Sequence, residues 1–208
     1  MPARDRAPRV KPKAGYHHGD LRRQLVVAGW RLVGREGADA FRLADAAKLA
    51  GVSPAAPYRH FRDRQALLAA VADEGFARLG ARAAAAVERH EGGSLEAVCA
   101  VGSAYIDFAR DEPNVFRLMF APHEGAGDDG PSPEGAAAYE VLIGQVAAHL
   151  GLAPDAPEVL ATALSLWMYV HGFASLLIDD QLGVGRLEID VATMLRANGA
   201  RMLEAFAS

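Results

Sequence analysis

The stretch LADAAKLAGVSPAAPYRHFRDRQALLAAV, residues 43–71, decides the fold. From Leu43 to Ala50 it places small and apolar side chains at helical spacing. It then reaches Gly51, where a turn with positive φ suits a residue without a Cβ. Ser53-Pro54 has the form of an N-cap followed by proline in the first turn. The spacing therefore predicts a second short helix that reaches His60. Asp63 is placed to cap a longer helix, Arg64 to about Ala86. Two short helices across a tight turn make a helix-turn-helix candidate, centred on Ala44 to Phe61. Ala46, Ala47 and Leu49 supply small contacts for a close crossing. The second helix presents Ala55, Ala56, Tyr58, Arg59 and His60, and Arg, Tyr and His are residue types that reach phosphates and base edges. An ordinary helical hairpin satisfies the same spacing.

Working outward, charge is unevenly spread along the 208 residues. The whole chain carries a formal −4. Residues 1–65 hold 14 Lys+Arg against 6 Asp+Glu, net +8, and residues 66–208 hold 8 against 20, net −12. A basic head on an acidic body implies that only the head meets a polyanion. A solvated surface with a basic tail is the alternative. The single cysteine, Cys99, has no partner for an internal disulfide, and a reducing cytoplasm is expected. No apolar run reaches the roughly 18 residues of a membrane span, and the polar N-terminus lacks a secretory signal, so no membrane association is expected.

The remaining segments read as helix throughout. Residues 1–15 carry three prolines and five Lys/Arg and are expected to form a flexible basic arm. Asp20 is placed to cap a helix to about Arg35, with Leu21, Leu25, Ala28 and Leu32 on one face. Ser94 caps a helix to about Arg110, and Pro113 starts one through Phe120. Residues 121–135 are rich in Gly, Pro and Asp and read as an exposed, mobile loop. Ser132-Pro133 repeats the cap-then-proline pattern before a helix to about Leu150. A long helix spans Pro157 to Ile178, and a last one Asp190 to Phe206. The expected fold is all-α, divided into the arm 1–15, a three-helix DNA-binding domain 16–65 and a larger helical domain 66–208 for ligand binding and dimerisation.

The string from Leu21 to Val71 resembles the DNA-binding domain of the TetR family of transcriptional regulators. It carries the A-G-V-S turn, then Y-x-H-F, a basic residue three on from Phe61, and a Leu-Leu pair. The lead-in GYHHGDLR, Gly15 to Arg22, resembles one branch of that family. The resemblance implies that Ser53, Ala55, Ala56 and Arg59 face the major groove and that Tyr58 and His60 contact phosphates. Arg64 stands where the family usually has lysine, and it adds a fork for phosphate. Arg42 stands where the family often has a capping Ser or Thr. It loses a cap worth about 1 kcal/mol and adds a cation near DNA. Arg59 is the candidate base contact, with a phosphate contact as the alternative. Arg4, Arg6, Arg9, Lys11 and Lys13 either enter a minor groove or add diffuse, salt-sensitive affinity.

WMYVHGFASLL, Trp167 to Leu177, resembles the Trp-His-Gly signature in the C-terminal domain of one TetR branch, and Ala104 to Phe120 is similar to that branch too. The resemblance implies an all-helical body that dimerises and holds an inducer pocket. Tyr105, Phe108, Phe116, Met119, Phe120, Trp167 and His171 would line an apolar site with few polar groups; aromatic and Met residues at this spacing also serve as plain core. The long helix is apolar on two sides. Leu160, Leu164, Trp167, His171 and Ala174 form one stripe, and Val159, Ala163, Leu166, Val170, Phe173 and Leu177 the other. One can pack on the protomer's own core and the other on a partner subunit; a central helix covered on both sides within a monomeric bundle is the alternative. The last helix is similarly apolar, at Val191, Leu195, Ala197, Met202 and Phe206. One short reading helix covers few base pairs, so a two-fold homodimer on a palindromic operator is expected.

The expected function is a ligand-responsive repressor of transcription that binds double-stranded DNA and a small-molecule inducer. A ligand-independent or architectural DNA-binding protein is the alternative, which a solidly packed body would favour. Catalysis is not expected. The chain has no G-x-S-x-G elbow, P-loop, strand-linked G-x-G-x-x-G or metal-spaced His/Cys cluster. No cofactor or metal is implied.

Overall fold

The structure, a computed structural model, describes residues 18–121, 132–180, 183 and 189–205. Eight α-helices occur among them: α1 His18–Glu36, α2 Leu43–Leu49, α3 Arg64–Val87, α4 Leu95–Asp111, α5 Pro113–Phe120, α6 Pro133–Leu150, α7 Pro157–Ile178 and α8 Val191–Glu204. No strand is present among the described residues, and the expected all-α class holds. The proposed arm 1–15, most of the expected loop 121–135, and Phe206 lie outside the described residues. At the loop's far end, Pro133 already belongs to α6.

Helix starts follow the side-chain oxygens available to satisfy unpaired N–H groups. Asp63 Oδ1 accepts from Ala66 N at 2.8 Å, Ser94 Oγ from Ala97 N at 3.1 Å, and Ser132 Oγ from Gly135 N at 3.2 Å. Asp190 Oδ1 accepts from Ala192 N and Thr193 N. Asp20, expected as a cap, falls inside α1, which is already helical at His18. Arg42 occupies the N-cap of α2 with extended backbone and makes no capping bond, as a side chain without a short acceptor must.

The second helix of the helix-turn-helix departs from expectation. Ser53 to Ala56 form a turn, closed by Ala56 N donating to Ser53 O at 3.0 Å, and Pro57–Arg59 form a 3₁₀ turn. The cause is Pro57. An α-helix from Ser53 would need the N–H of residue 57 to bond back to Ser53 O, and proline has none. The chain bonds three residues back instead, Arg59 N to Ala56 O at 3.2 Å and His60 N to Pro57 O at 2.9 Å. Pro57 itself is buried.

One buried apolar cluster runs from Leu25, Phe41 and Phe61 in the helix-turn-helix, through Leu67 and Val71 of α3, to Phe116 of α5 and Val170 of α7. A second joins Ala83, Val98, Leu142, Val146, Val159, Leu166 and Leu203 in the body. On α7 the inward residues are Val159, Thr162, Ala163, Leu166, Val170 and Ala174. The outward stripe differs from expectation. Leu160 and Leu164 continue at four-residue steps to Met168, Gly172 and Leu176, whereas Trp167 and His171 turn partly inward. Packing against α4 rotates the helix so that its inner face centres on Ala163, Leu166 and Val170. Among the described residues, α7 is also the one helix long and apolar enough to cross a membrane, by length and composition; no such span was expected from the sequence.

Gly51 has φ +71°, and nothing stands within 4 Å of where its Cβ would be. Its cost on substitution is therefore purely conformational. Gly51→Ala is expected to lower stability by about 1 kcal/mol in chemical denaturation, and Gly51→Asn by less; a neutral alanine would show that the turn does not depend on φ.

Candidate functional site

The helix-turn-helix presents most of the expected contact residues together. Arg42, Ser53, Ala55, Tyr58 and Arg59 are exposed, and His60 is half-buried. Tyr58, at 63% exposure, is an outward aromatic with no core to fill. Ala56 is placed differently. It is half-buried and packs against the apolar cluster, because the 3₁₀ turn draws its methyl inward. Behind the segment, Phe61 is buried and the Arg22 guanidinium lies 5.2 Å over its ring.

Arg64 sits at the first turn of α3 but spends its fork on the protein. Its Nε donates to Phe41 O at 2.8 Å, and its Nη2 donates to the carbonyls of Ala38 and Asp39. The loop between α1 and α2 is thereby tied to the start of α3. Next to it, the Ala66 N–H holds the Asp63 carboxyl below its ordinary range, with Arg62 adding to the effect. The cap is therefore ionised at neutral pH.

Beyond this joint, α3 forms one wall of a cavity of about 1300 Å³. The volume exceeds the roughly 300–1,000 Å³ of ordinary ligand sites. Helices α4, α5, α6, α7 and α8 supply the rest of the lining. Of the residues expected to line a pocket, Tyr105, Met119, Phe120 and Trp167 do so. Phe108, Phe116 and His171 are not on its wall. Phe108 packs edge-on against Trp30 of α1, with ring centroids 6.4 Å apart. Phe116 is fully buried and stacks on His171 at 5.6 Å.

His171 backs the wall. Its Nδ1 lies 2.7 Å from the Tyr105 hydroxyl, and Trp167 Nε1 donates to the same hydroxyl at 3.3 Å. Phe120 stands edge-on to the imidazole at 4.6 Å. Burial pushes the Tyr105 phenol well above its usual range and the His171 imidazole below its own. Both are neutral at pH 7, and the cluster is a polar triad inside an aromatic cage.

The cavity also uses residues that the sequence pattern did not single out. Phe76 and Tyr139 add aromatic surface, Arg62 and Gln65 reach the wall at the start of α3, and Ala66, Ala69, Ala72 and Ala83 leave the space itself. The alanine-rich face of α3 was the available signal, since short side chains facing aromatic ones leave volume. Cys99 lines the cavity, with burial raising its thiol above the ordinary range. Among the described residues, no three His, Cys, Asp or Glu could hold a metal together.

Comparison with known proteins places both parts. Residues 25–71 match the family described as bacterial regulatory proteins, tetR family, and residues 98–202 match the tetracyclin repressor-like C-terminal domain. No curated protein sequence matches. A protein of unknown function from Rhodococcus sp. RHA1 is similar at 32% identity, over 94% of this chain and 100% of that one, with a TM-score of 0.74. Two further structures share the fold. A tetR-family transcriptional regulator from Streptomyces coelicolor has 19% identity, 92% and 80% coverage and a TM-score of 0.64. FadR from Bacillus subtilis, in complex with stearoyl-CoA, has 14% identity, 89% and 97% coverage and a TM-score of 0.64.

The neutral imidazole gives a pH dependence of known sign. Because the folded-state pKa of His171 lies below its ordinary 6.5, the unfolded chain binds the proton first as pH falls. Stability tied to His171 is present above about pH 6.5 and declines as pH drops through the folded-state value. Urea denaturation between pH 5 and 8 is expected to show a shallower acid-side decline for His171→Gln than for the wild type; parallel curves would rule the effect out.

Proposed function

Because the chain belongs to the TetR family of DNA-binding transcriptional regulators, we propose that it is a ligand-responsive repressor that binds a palindromic operator as a homodimer. One observation carries this reading. The helix that starts at the DNA-binding segment, with Asp63 as its cap and Arg64 clamping the loop before it, also walls the cavity along most of its length. A molecule filling the cavity pushes on the same rigid element that orients the DNA-binding segment. It weakens DNA binding if it fits the non-operator arrangement better. A cavity of this size disfavours the architectural reading, which has no use for one.

Ser53, Ala55, Tyr58 and Arg59 are the DNA-facing surface of this proposal, with Arg42 and His60 beside it. Arg59 is the leading base contact. Arg64 serves DNA chiefly by holding the segment, and Ala56 chiefly by packing beneath it. Residues 16–65 form the DNA-binding unit, and residues 66–208 the ligand and dimer unit, of the Trp-His-Gly branch.

The partner surface is the outward stripe of α7. Leu160, Leu164, Met168 and Leu176 are exposed at steps of one helical turn, with Gly172 among them offering open space for close approach. Met168 is 58% exposed on an otherwise apolar face, a desolvated surface in need of cover. A second copy brings the same stripe, as two-fold symmetry demands.

Selection from random DNA tests the whole reading. An inverted repeat with half-sites about one helical turn apart is expected, and a single unpaired site would sink the dimer. Arg59→Ala is expected to cost about 1–3 kcal/mol and to relax preference at one position per half-site. Met168→Glu is expected to give a monomer in sedimentation analysis and to lose most operator affinity with the helix content unchanged.

A further inference from the structure

The Tyr105 hydroxyl is a buried group with a narrow choice of partners. Phe116 stands edge-on to its ring at 5.5 Å and Phe120 lies at 6.4 Å. Neither ring offers an acceptor. The Trp167 indole, 3.3 Å away, is a donor only. A buried O–H needs an acceptor, and among these neighbours the acceptor is His171 Nδ1 at 2.7 Å. A phenol that donates to Nδ1 leaves the imidazole's own proton on Nε2.

The rings packed on His171 are Phe116, Phe120, Trp167 and Tyr105. None carries a charge that would hold a second proton on the imidazole, so one ring nitrogen stays free to accept, and Nδ1 is the one within reach of the phenol. With the phenol proton given to His171, the phenolic oxygen acts as an acceptor, for the Trp167 indole and for whatever else reaches it from the cavity. Tyr105 and Trp167 lie on the cavity wall, with His171 behind them.

We propose that the Tyr105 oxygen, fixed as an acceptor by His171, selects the ligand: a large apolar molecule carrying a hydrogen-bond donor, a hydroxyl or an N–H. This rests on the reading of the cavity as the ligand site. An ether or ester brings only acceptors. It meets a lone pair, and can be served only by pulling the phenol proton from Nδ1 and shifting the imidazole tautomer. His171 is thus a positioning residue, acting on the ligand through Tyr105.

The test uses the full chain and three probes of one shape: 4-nonylphenol, 4-nonylanisole and nonylbenzene, compared by titration calorimetry at neutral pH. The phenol is expected to bind about tenfold tighter than the anisole, the worth of one neutral hydrogen bond, and the anisole to match the hydrocarbon. In Tyr105→Phe the phenol falls to the level of the anisole while the other two stay within about twofold. His171→Gln, whose amide oxygen can still accept, keeps the preference. His171→Phe leaves the phenol proton without an acceptor and turns the preference toward the anisole. Nitrogen-15 histidine spectra are expected to show His171 protonated on Nε2, before and after 4-nonylphenol is added. Equal binding of all three probes, an unchanged ratio in Tyr105→Phe, or an Nδ1-protonated His171 overturns the inference and leaves the ligand site standing. If none of the three binds, the ligand reading falls with it.

Discussion

Arg64 donates to the carbonyls of Phe41, Ala38 and Asp39 from the first residue of α3. Hydrogen bonds from a charged donor contribute roughly 1.5–3 kcal/mol each, and a planar fork orients its acceptors where a lysine would only attract them. Asp63, one residue earlier, caps the same helix. Together they leave the α1–α2 loop and α3 little freedom to hinge. Everything α3 touches later is thereby mechanically close to the DNA-binding segment. Trp30 of α1 extends the junction, with the Arg78 guanidinium 4.1 Å over its ring and Phe108 edge-on beyond it. Asn114 of α5 adds a bond to the Gly34 carbonyl at 3.0 Å.

A cavity beside such a junction costs stability, because its lining atoms lack partners. Compensation is local. Phe76, Tyr105, Phe116, Phe120, Trp167 and His171 meet edge-on or tilted, with Phe116 and His171 stacked, at centroid distances of 4.6 to 6.4 Å, the range in which aromatic pairs contribute beyond their buried area. On the other side, Arg117 of α5 bonds Asp179 at the end of α7 and the Ile178 carbonyl, so α5 and α7 are tied where they leave the cage. The void is thus framed by stiff contacts, which is what lets it remain open.

Much of this was legible in the sequence, for definite reasons. Asp63, Ser94, Ser132 and Asp190 marked helix starts because capping is local chemistry, decided within three residues. Pro113, Pro133 and Pro157 marked first turns for the same reason. The 3₁₀ turn was equally local, since Pro57 forbids the bond that an α-helix from Ser53 requires, yet the cap-then-proline pattern at Ser53-Pro54 and the family-like string outweighed it. The aromatic cage was visible as residue types, but not the division between Tyr105 on the wall and Phe116 behind it. The rotation of α4 against α5 and α7 decides that, and such rotations are set by packing. The partners of Arg64 lie more than 20 residues away, beyond the reach of any spacing rule. The cavity itself is bounded by side chains from six helices, a property of no single segment.

The cavity's place between two working surfaces follows from one turn of α7. Trp167 faces the void and Met168, the next residue, faces outward. Successive helical residues point about 100° apart, so one helix serves both the cavity and the proposed partner face. Helix α3 does the same for the cavity and the DNA-binding segment. In the proposed dimer, a ligand that spread α3 from α7 would alter two quantities at once: the tilt of each DNA-binding segment and the separation of the two. Neither change needs a flexible relay, because both helices are long and clamped at one end. The requirement is energetic. The ligand must gain more from the spread arrangement than from the closed one, and a void lined by alanines on α3 and by bulky rings on α7 leaves room for such a difference.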